Sequence, residues 1–128
     1  MNKVLGIDYG RKKIGLAVAE GPLAEPYEIL RYQDIKILVK NIRKIVETLK
    51  IEKVVIGISE GKMAEETKNF GKRLEEKIGI PVFFQDETLT TQEAQRLAIS
   101  AGIKRKKRRA LEDAYSAALI LQSYLDAQ

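Results

Sequence analysis

Residues 4–19, Val4-Leu5-Gly6-Ile7-Asp8-Tyr9-Gly10-Arg11-Lys12-Lys13-Ile14-Gly15-Leu16-Ala17-Val18-Ala19, decide the fold. Val4 to Asp8 is a short apolar run closed by a carboxylate, the pattern of a buried strand. Gly10 to Lys13 is a polar turn, and Ile14 to Ala19 is a second apolar run of strand length, so the chain opens as a β-hairpin. Asp8 thus stands at a strand end, where a lone acid more often serves a turn or cap than a site. Its meaning depends on what the rest of the chain brings to it.

Working outward, Pro22 and Pro26 frame a loop, and Tyr27 to Tyr32 reads as a third, edge strand. The period then changes. Ile35, Leu38, Val39, Ile42, Ile45, Val46 and Leu49 recur at three and four, the buried stripe of a helix capped by Asp34. Val54 to Ile58 is a β-branched run expected to be buried on both faces, as a central parallel strand is. A second helix turns Ala64, Thr67, Phe70, Leu74 and Ile78 inward, with Gly79 as its stop and Pro81 barring continuation. Pro81 to Gln85 is a further strand, ending in Asp86-Glu87. Thr90-x-x-Glu93 is a capping box for a helix through Leu97 and Ala101, closed by Gly102. The last helix is expected from near Leu111, with Ala114, Ala118, Leu121 and Leu125 at helical spacing. The order is βββαβαβ followed by two helices. It predicts a single α/β domain over residues 1–128: a five-stranded mixed sheet, antiparallel in its opening hairpins and parallel afterwards, flanked by helices.

Composition narrows the chemistry. The chain has no cysteine and no histidine, which excludes disulfides, thiolate or imidazole zinc sites and Ser-His-Asp triads. An enzyme built from this sequence must use carboxylates, hydroxyls, lysine, arginine or a metal. No apolar run approaches the length of a membrane span, and no signal-peptide core precedes the first strand, so a cytoplasmic protein is expected. The net charge of +5 is local: Lys104-Arg105-Lys106-Lys107-Arg108-Arg109 places six cations in a row, and the remaining residues hold 17 basic and 18 acidic groups. A run of this kind is often a solvated loop. Here it also marks one place for contact with a polyanion.

Sites of α/β sheets gather outside the carboxyl ends of parallel strands. Asp8 closes the first strand and Asp86-Glu87 the last, and the two converge if the first, fourth and fifth strands are neighbours. Asp113 lies among residues that look buried, where a carboxylate needs a partner or a cation. Carboxylates meeting at one edge repel unless a cation lies between them. Hard divalent ions such as Mg²⁺ or Mn²⁺ take oxygen ligands and serve phosphodiester cleavage without histidine. Each acid alone also has a bland account: Asp86-Glu87 as a cap, and Asp113 as a partner of its own helix N-terminus. Thr88, Thr90 and Thr91 read as turn and cap residues, since no base is at hand to activate them. Tyr9 either stacks on a base or fills the edge of the core.

Three motifs resemble a known family in order and over nearly the whole chain: Gly6-Ile7-Asp8-Tyr9-Gly10-Arg11-Lys12-Lys13-Ile14-Gly15-Leu16-Ala17, Asp86-Glu87-Thr88-Leu89-Thr90-Thr91, and Asp113-Ala114-Tyr115-Ser116-Ala117-Ala118. They are similar to signatures of the YqgF/RuvX family, pre-16S ribosomal RNA nucleases also described as Holliday-junction-resolvase-like, with a ribonuclease H-like fold. The resemblance implies Asp8, Glu87 and Asp113 as catalytic acids and ligands of Mg²⁺ or Mn²⁺, with Asp86 as a further candidate ligand. It implies a nucleic-acid contact through Lys104, Arg105, Lys106, Lys107, Arg108 and Arg109, and Arg11 in the hairpin turn is a further candidate phosphate contact. Gly57-Ile58-Ser59 departs from the family's Gly-Leu-Pro at the loop after the fourth strand.

The function so implied is metal-dependent hydrolysis of nucleic-acid phosphodiesters, in processing the 5′ end of pre-16S ribosomal RNA. Structured RNA is the favoured partner, branched DNA the other. The alternatives are a Holliday-junction resolvase, which usually needs a dimer, and a nucleic-acid-binding module without catalysis. The helices carry apolar positions for one core only, which favours a monomer. An actin-like ATPase also opens on an Asp-x-Gly hairpin, but it needs two such domains around its nucleotide.

Overall fold

A computed structural model describes residues 2–59, 61–86 and 105–128, the side chains of 105–113 excepted. The expected capping box at Thr90, the helix through Leu97 and Ala101, Glu87 and Lys104 lie outside these residues. The elements are β1 (Lys3–Asp8), β2 (Lys13–Glu20), β3 (Ala24–Arg31), α1 (Ile35–Leu49), β4 (Ile51–Ile58), α2 (Lys62–Ile78), β5 (Val82–Asp86) and α3 (Arg105–Asp126). The strands form one sheet in the order β3-β2-β1-β4-β5. β1 and β2 pair antiparallel, as do β2 and β3, while β4 runs parallel to β1 and β5 parallel to β4.

Alternation along the strands divides the core between the two faces. Leu5 and Ile7 of β1, Ile14 and Leu16 of β2, and Val54 and Ile56 of β4 join Leu38, Ile42, Phe70 and Leu74 of α1 and α2 on one face. Val4, Ala17, Ala19 and Val55 join Ala117, Ala118, Ile120, Leu121 and Tyr124 of α3 on the other. Val54, Val55 and Ile56 are wholly buried, so β4 is covered on both faces, as its β-branched run predicts. Asp34 caps α1 by accepting from the Lys36 amide at 2.8 Å, and Gly79 ends α2 in the left-handed conformation at φ 72°.

Two boundaries differ from expectation. β3 begins at Ala24, so Pro26 lies inside a strand rather than in a loop. It is tolerated because β3 is an edge strand, and the register shifts there: Leu16 faces Glu28 while Ala17 faces Pro26. An edge position and a bulge are where a residue without an N–H fits a sheet. The last helix begins at Arg105 rather than near Leu111. Lysine and arginine are good helix formers, so the cationic run extends the helix.

Candidate active site

The parallel arrangement brings the carboxyl ends of β1, β4 and β5 to one edge. Ile7 is level with Ile56, and Ile58 is level with Asp86, so Asp8 and Asp86 end neighbouring ladders with β4 between them. Their faces differ. In β1, Val4 packs with α3, and a Cβ built on Gly6 would fall 2.8 Å from Leu121 Cβ and 3.0 Å from the Ala117 carbonyl oxygen. Asp8, two residues on, shares that face. In β5, Phe83 meets Tyr124 of α3 with ring centroids 5.8 Å apart, whereas the ring of Phe84 lies over Gly71 of α2. Asp86 therefore follows Phe84 to the α2 side and is exposed. Asp8 and Asp86 share the edge and not the face.

Position 113 approaches Asp8 by register. Gln122 of α3 accepts from the Ala24 amide and donates to the Pro22 carbonyl, at 2.9 Å each. Those groups stand beside the end of β2, where Glu20 pairs with Lys3 at the start of β1. The helix thus runs antiparallel to β1, with Ala117 over Gly6. From that contact, two strand residues toward Asp8 advance about 6.6 Å. Four helix residues back to position 113 advance about 6 Å in the same direction. The backbone of Asp113 therefore lies over the Asp8 end of β1, just ahead of Ala114, which is fully buried.

Asp8 is partly buried and lines an open hollow of about 340 Å³ with Tyr9, Gly10, Arg11, Lys12 and Lys13. Two lysines and an arginine thus stand around the acid, and the arginine's charge is met by Glu66. The turn is built to hold its shape. Tyr32 donates its hydroxyl to the Gly10 carbonyl, and burial, then a hydrogen bond with Tyr9, pushes that phenol well above its usual range. Tyr9 stacks on Phe70 with centroids 4.6 Å apart and 23° between planes, so its ring fills the core edge.

Arg11 grips Glu66 of α2 with two bonds, Nε to Oε2 at 3.0 Å and Nη2 to Oε1 at 2.6 Å. The hydrogen bond and the opposite charge raise the arginine's pKa and lower that of the glutamate. The candidate phosphate contact is also a strut between hairpin and helix. The sequence offered no signal for its partner, 55 residues away.

The cationic run occupies the first turns of α3 from Arg105. A helix N-terminus disfavours positive charge, so a cationic run in the first turns is not explained by helix stability. No group of three potential metal ligands occurs among the described side chains, a set from which Glu87 and Asp113 are missing. The donor chemistry fits a hard cation nonetheless: the candidates are carboxylates, and the chain has no histidine or cysteine to favour zinc. No helix among the described residues is long and apolar enough to cross a membrane.

Solved structures similar to this chain include Thermus thermophilus RuvC in complex with a Holliday junction substrate. It is 18% identical with a TM-score of 0.69, and the match covers 99% of this chain and 96% of that one. The fowlpox virus resolvase in complex with Holliday junction DNA is 13% identical with a TM-score of 0.67, covering 98% and 97%. At such identities the likeness establishes the ribonuclease H-like fold and nothing finer. Nearer relatives are called "Putative pre-16S rRNA nuclease". That of Syntrophus aciditrophicus is 41% identical over 98% of this chain and 89% of its own length. That of Caldanaerobacter subterraneus is 39% identical over 98% and 97%. The model of the RuvX family, described as Holliday junction resolvase, matches residues 2–127. With β1 ending in Asp8 under the first turns of α3 and close relatives along its whole length, the chain belongs to the RuvX family.

Proposed function

We propose that this chain, as one cytoplasmic domain over residues 1–128, is a divalent-metal-dependent nuclease that trims the 5′ end of precursor 16S ribosomal RNA. The observation that supports the proposal is the register of α3 on β1, which sets the backbone at position 113 over the Asp8 end of the strand, beside a cationic hairpin. Relatives named as pre-16S rRNA nucleases at 41% and 39% identity support the substrate. Asp8, Glu87 and Asp113 would hold Mg²⁺ or Mn²⁺. Asp86, directed to the opposite face, is left as a neighbour.

In this scheme the metal supplies Lewis-acid stabilisation of charge on the scissile phosphate. The chain does the rest by placement. Asp8 at the end of β1 and Asp113 on α3 would supply ligands from rigid elements. Lys12 and Lys13 draw the backbone phosphates to the edge, and the Lys104–Arg109 segment binds flanking phosphates with affinity but little sequence readout. With no histidine in the chain, proton transfer falls to carboxylate or solvent.

The test is labelled precursor ribosomal RNA beside a four-way DNA junction, each incubated with the purified chain and Mn²⁺, and each repeated with Asp8→Asn. Metal-dependent cutting of the RNA, lost in the variant while RNA binding persists, is the expected result. Cleavage that survives Asp8→Asn refutes the assignment. Symmetric cutting of the junction with no action on the RNA would move the chain to the resolvase reading that the family's description also carries.

A further inference from the structure

The two helices on the face opposite α3 carry a feature that neither the motifs nor the carboxylate edge use. Lys36, Lys40 and Arg43 stand at i, i+4 and i+7 on α1, so they form one row. Arg73 and Lys77 stand at i and i+4 on α2. The two rows line a single groove of about 440 Å³ with Val39 at its floor and no carboxylate in its wall. Outside the cationic run the chain has slightly more acids than bases, so five cations in one groove are a segregation of charge and not a sample of the surface. Among the described residues, Arg43 is partly answered by Glu47 at 3.1 Å.

The groove is linked to the candidate active site through shared lining residues. Arg73 also lines a neighbouring hollow with Tyr9, Ile35, Asn69, Phe70 and Glu66, and Tyr9 in turn lines the hollow of Asp8. α1 starts beside Tyr9 and leads back to β4 at Ile51, and α2 starts where β4 ends. Both helices therefore run away from the site edge, and the groove leads off that edge. Lys36 to Arg43 covers about 10 Å of helix, room for a few consecutive phosphates of one strand.

We infer that the α1–α2 groove binds the phosphate backbone of a single RNA strand on its way to or from the Asp8 edge, a second nucleic-acid surface in addition to the Lys104–Arg109 segment. The inference deepens the nuclease proposal and rests on it for the direction of the strand alone. Charge complementarity names the occupant: cations spaced along two parallel rows, with an apolar floor and no acid, match a flexible polyanion.

The experiment measures binding of a labelled single-stranded RNA of about 20 nucleotides, longer than a single stacking module spans, in EDTA across a range of salt. Two chains of equal net charge are compared. One carries Lys36→Ala, Lys40→Ala, Arg73→Ala and Lys77→Ala. The other carries Lys44→Ala, Lys50→Ala, Lys68→Ala and Lys72→Ala, exposed cations outside the groove. The groove chain should lose at least about tenfold in affinity and about 3 from its log–log salt slope, near 0.7 for each phosphate contact removed. The control chain should lose much less of both. Equal losses would reduce the effect to net charge and overturn the inference, as would an unchanged slope in the groove chain. Because the natural chain has no cysteine, Lys40→Cys and Lys68→Cys each give a unique thiol for a photo-crosslinker. Crosslinks to RNA from position 40 and few from 68 are expected, and the reverse refutes. Binding is read without metal, so a chain that never cuts RNA still tests the groove, and a failed groove leaves the Asp8→Asn cleavage result standing.

Discussion

Gly6→Ala tests the close seat of α3 on β1, the contact that sets position 113 over Asp8. The added methyl would lie 2.8 Å from Leu121 Cβ and 3.0 Å from the Ala117 carbonyl oxygen. Carbon atoms in comfortable contact are about 3.8 Å apart, so helix and strand must separate by about 1 Å. Overpacking of that order costs about 1–3 kcal/mol. The stiffer unfolded chain returns about 0.4–1 kcal/mol, because Gly6 has no positive φ that alanine could not adopt. A net loss of about 1–2 kcal/mol lowers the melting temperature by roughly 3–10 °C for a chain of this size.

The larger effect is expected in catalysis. A displacement near 1 Å between groups that must act together can reduce rate about 100-fold, and position 113 lies one turn before Ala117 on α3. The assay is metal-dependent cleavage of precursor RNA far below the melting point, beside a circular-dichroism melt. Leu121→Ala added to Gly6→Ala sharpens it. The obstructing atoms are a Cβ, which alanine keeps, and a backbone carbonyl, so the second substitution should rescue neither stability nor rate. A Gly6→Ala chain that cleaves at the parent rate would refute the idea that this seat sets the site. Rescue by Leu121→Ala would show that side-chain bulk, not backbone approach, is what Gly6 accommodates.

Gly71→Ala is the contrasting case, since its methyl would meet the tip of the Phe84 ring at 2.5 Å. That ring is 38% exposed and can swing outward, and alanine favours the helix by up to about 1 kcal/mol, so the melt should move by little and cleavage not at all. A loss as large as that of Gly6→Ala would contradict this. Glu66→Gln addresses the strut to Arg11. The folded glutamate has a lowered pKa, so its contribution is present above the ordinary carboxylate value of about 4.3 and is lost as pH falls through the lower, folded value. The stability gap between parent and variant should be modest, close on acidification, and shrink with added salt because the pair is exposed. A gap that persists in acid would mean that the glutamate acts through packing instead.

The sequence made the architecture legible where one period dominates. The stripe from Ile35 to Leu49 and the β-branched run at Val54 each have one structural solution, and Asp34 and Gly79 mark helix ends by their own chemistry. Pro26 misled because proline reads as a loop unless the strand is known to be an edge, and edge status is a property of the whole sheet. The start of α3 was missed because cations without apolar periodicity leave helix and loop equally open. Arg11 read as a candidate phosphate contact because Glu66 reaches it only through the tertiary fold. The basic rows of α1 and α2 were visible as i, i+4 spacings on each helix. That the two rows face each other was not.

Under the nuclease proposal, small residues in the opening and closing motifs serve the same site as the acids. Gly6 stands two residues from Asp8, and Ala114, Ala117 and Ala118 follow Asp113, all three buried to within 2%. A larger side chain at Gly6 would hold α3 off the sheet, and a single bulky substitution among the alanines would act from the other side of the same contact. A hard cation bound between carboxylates from different elements requires its oxygens within a few ångströms of one another, which strand and helix can offer only if their backbones approach closely. The spacing Gly-x-Asp against Asp-Ala-x-x-Ala-Ala thus describes one object: a seat of small residues, with an acid at the open end of each partner. If the proposed site is right, its chemistry depends on the packing beneath it, and a perturbation that spares every carboxylate but lifts the helix is expected to silence the site.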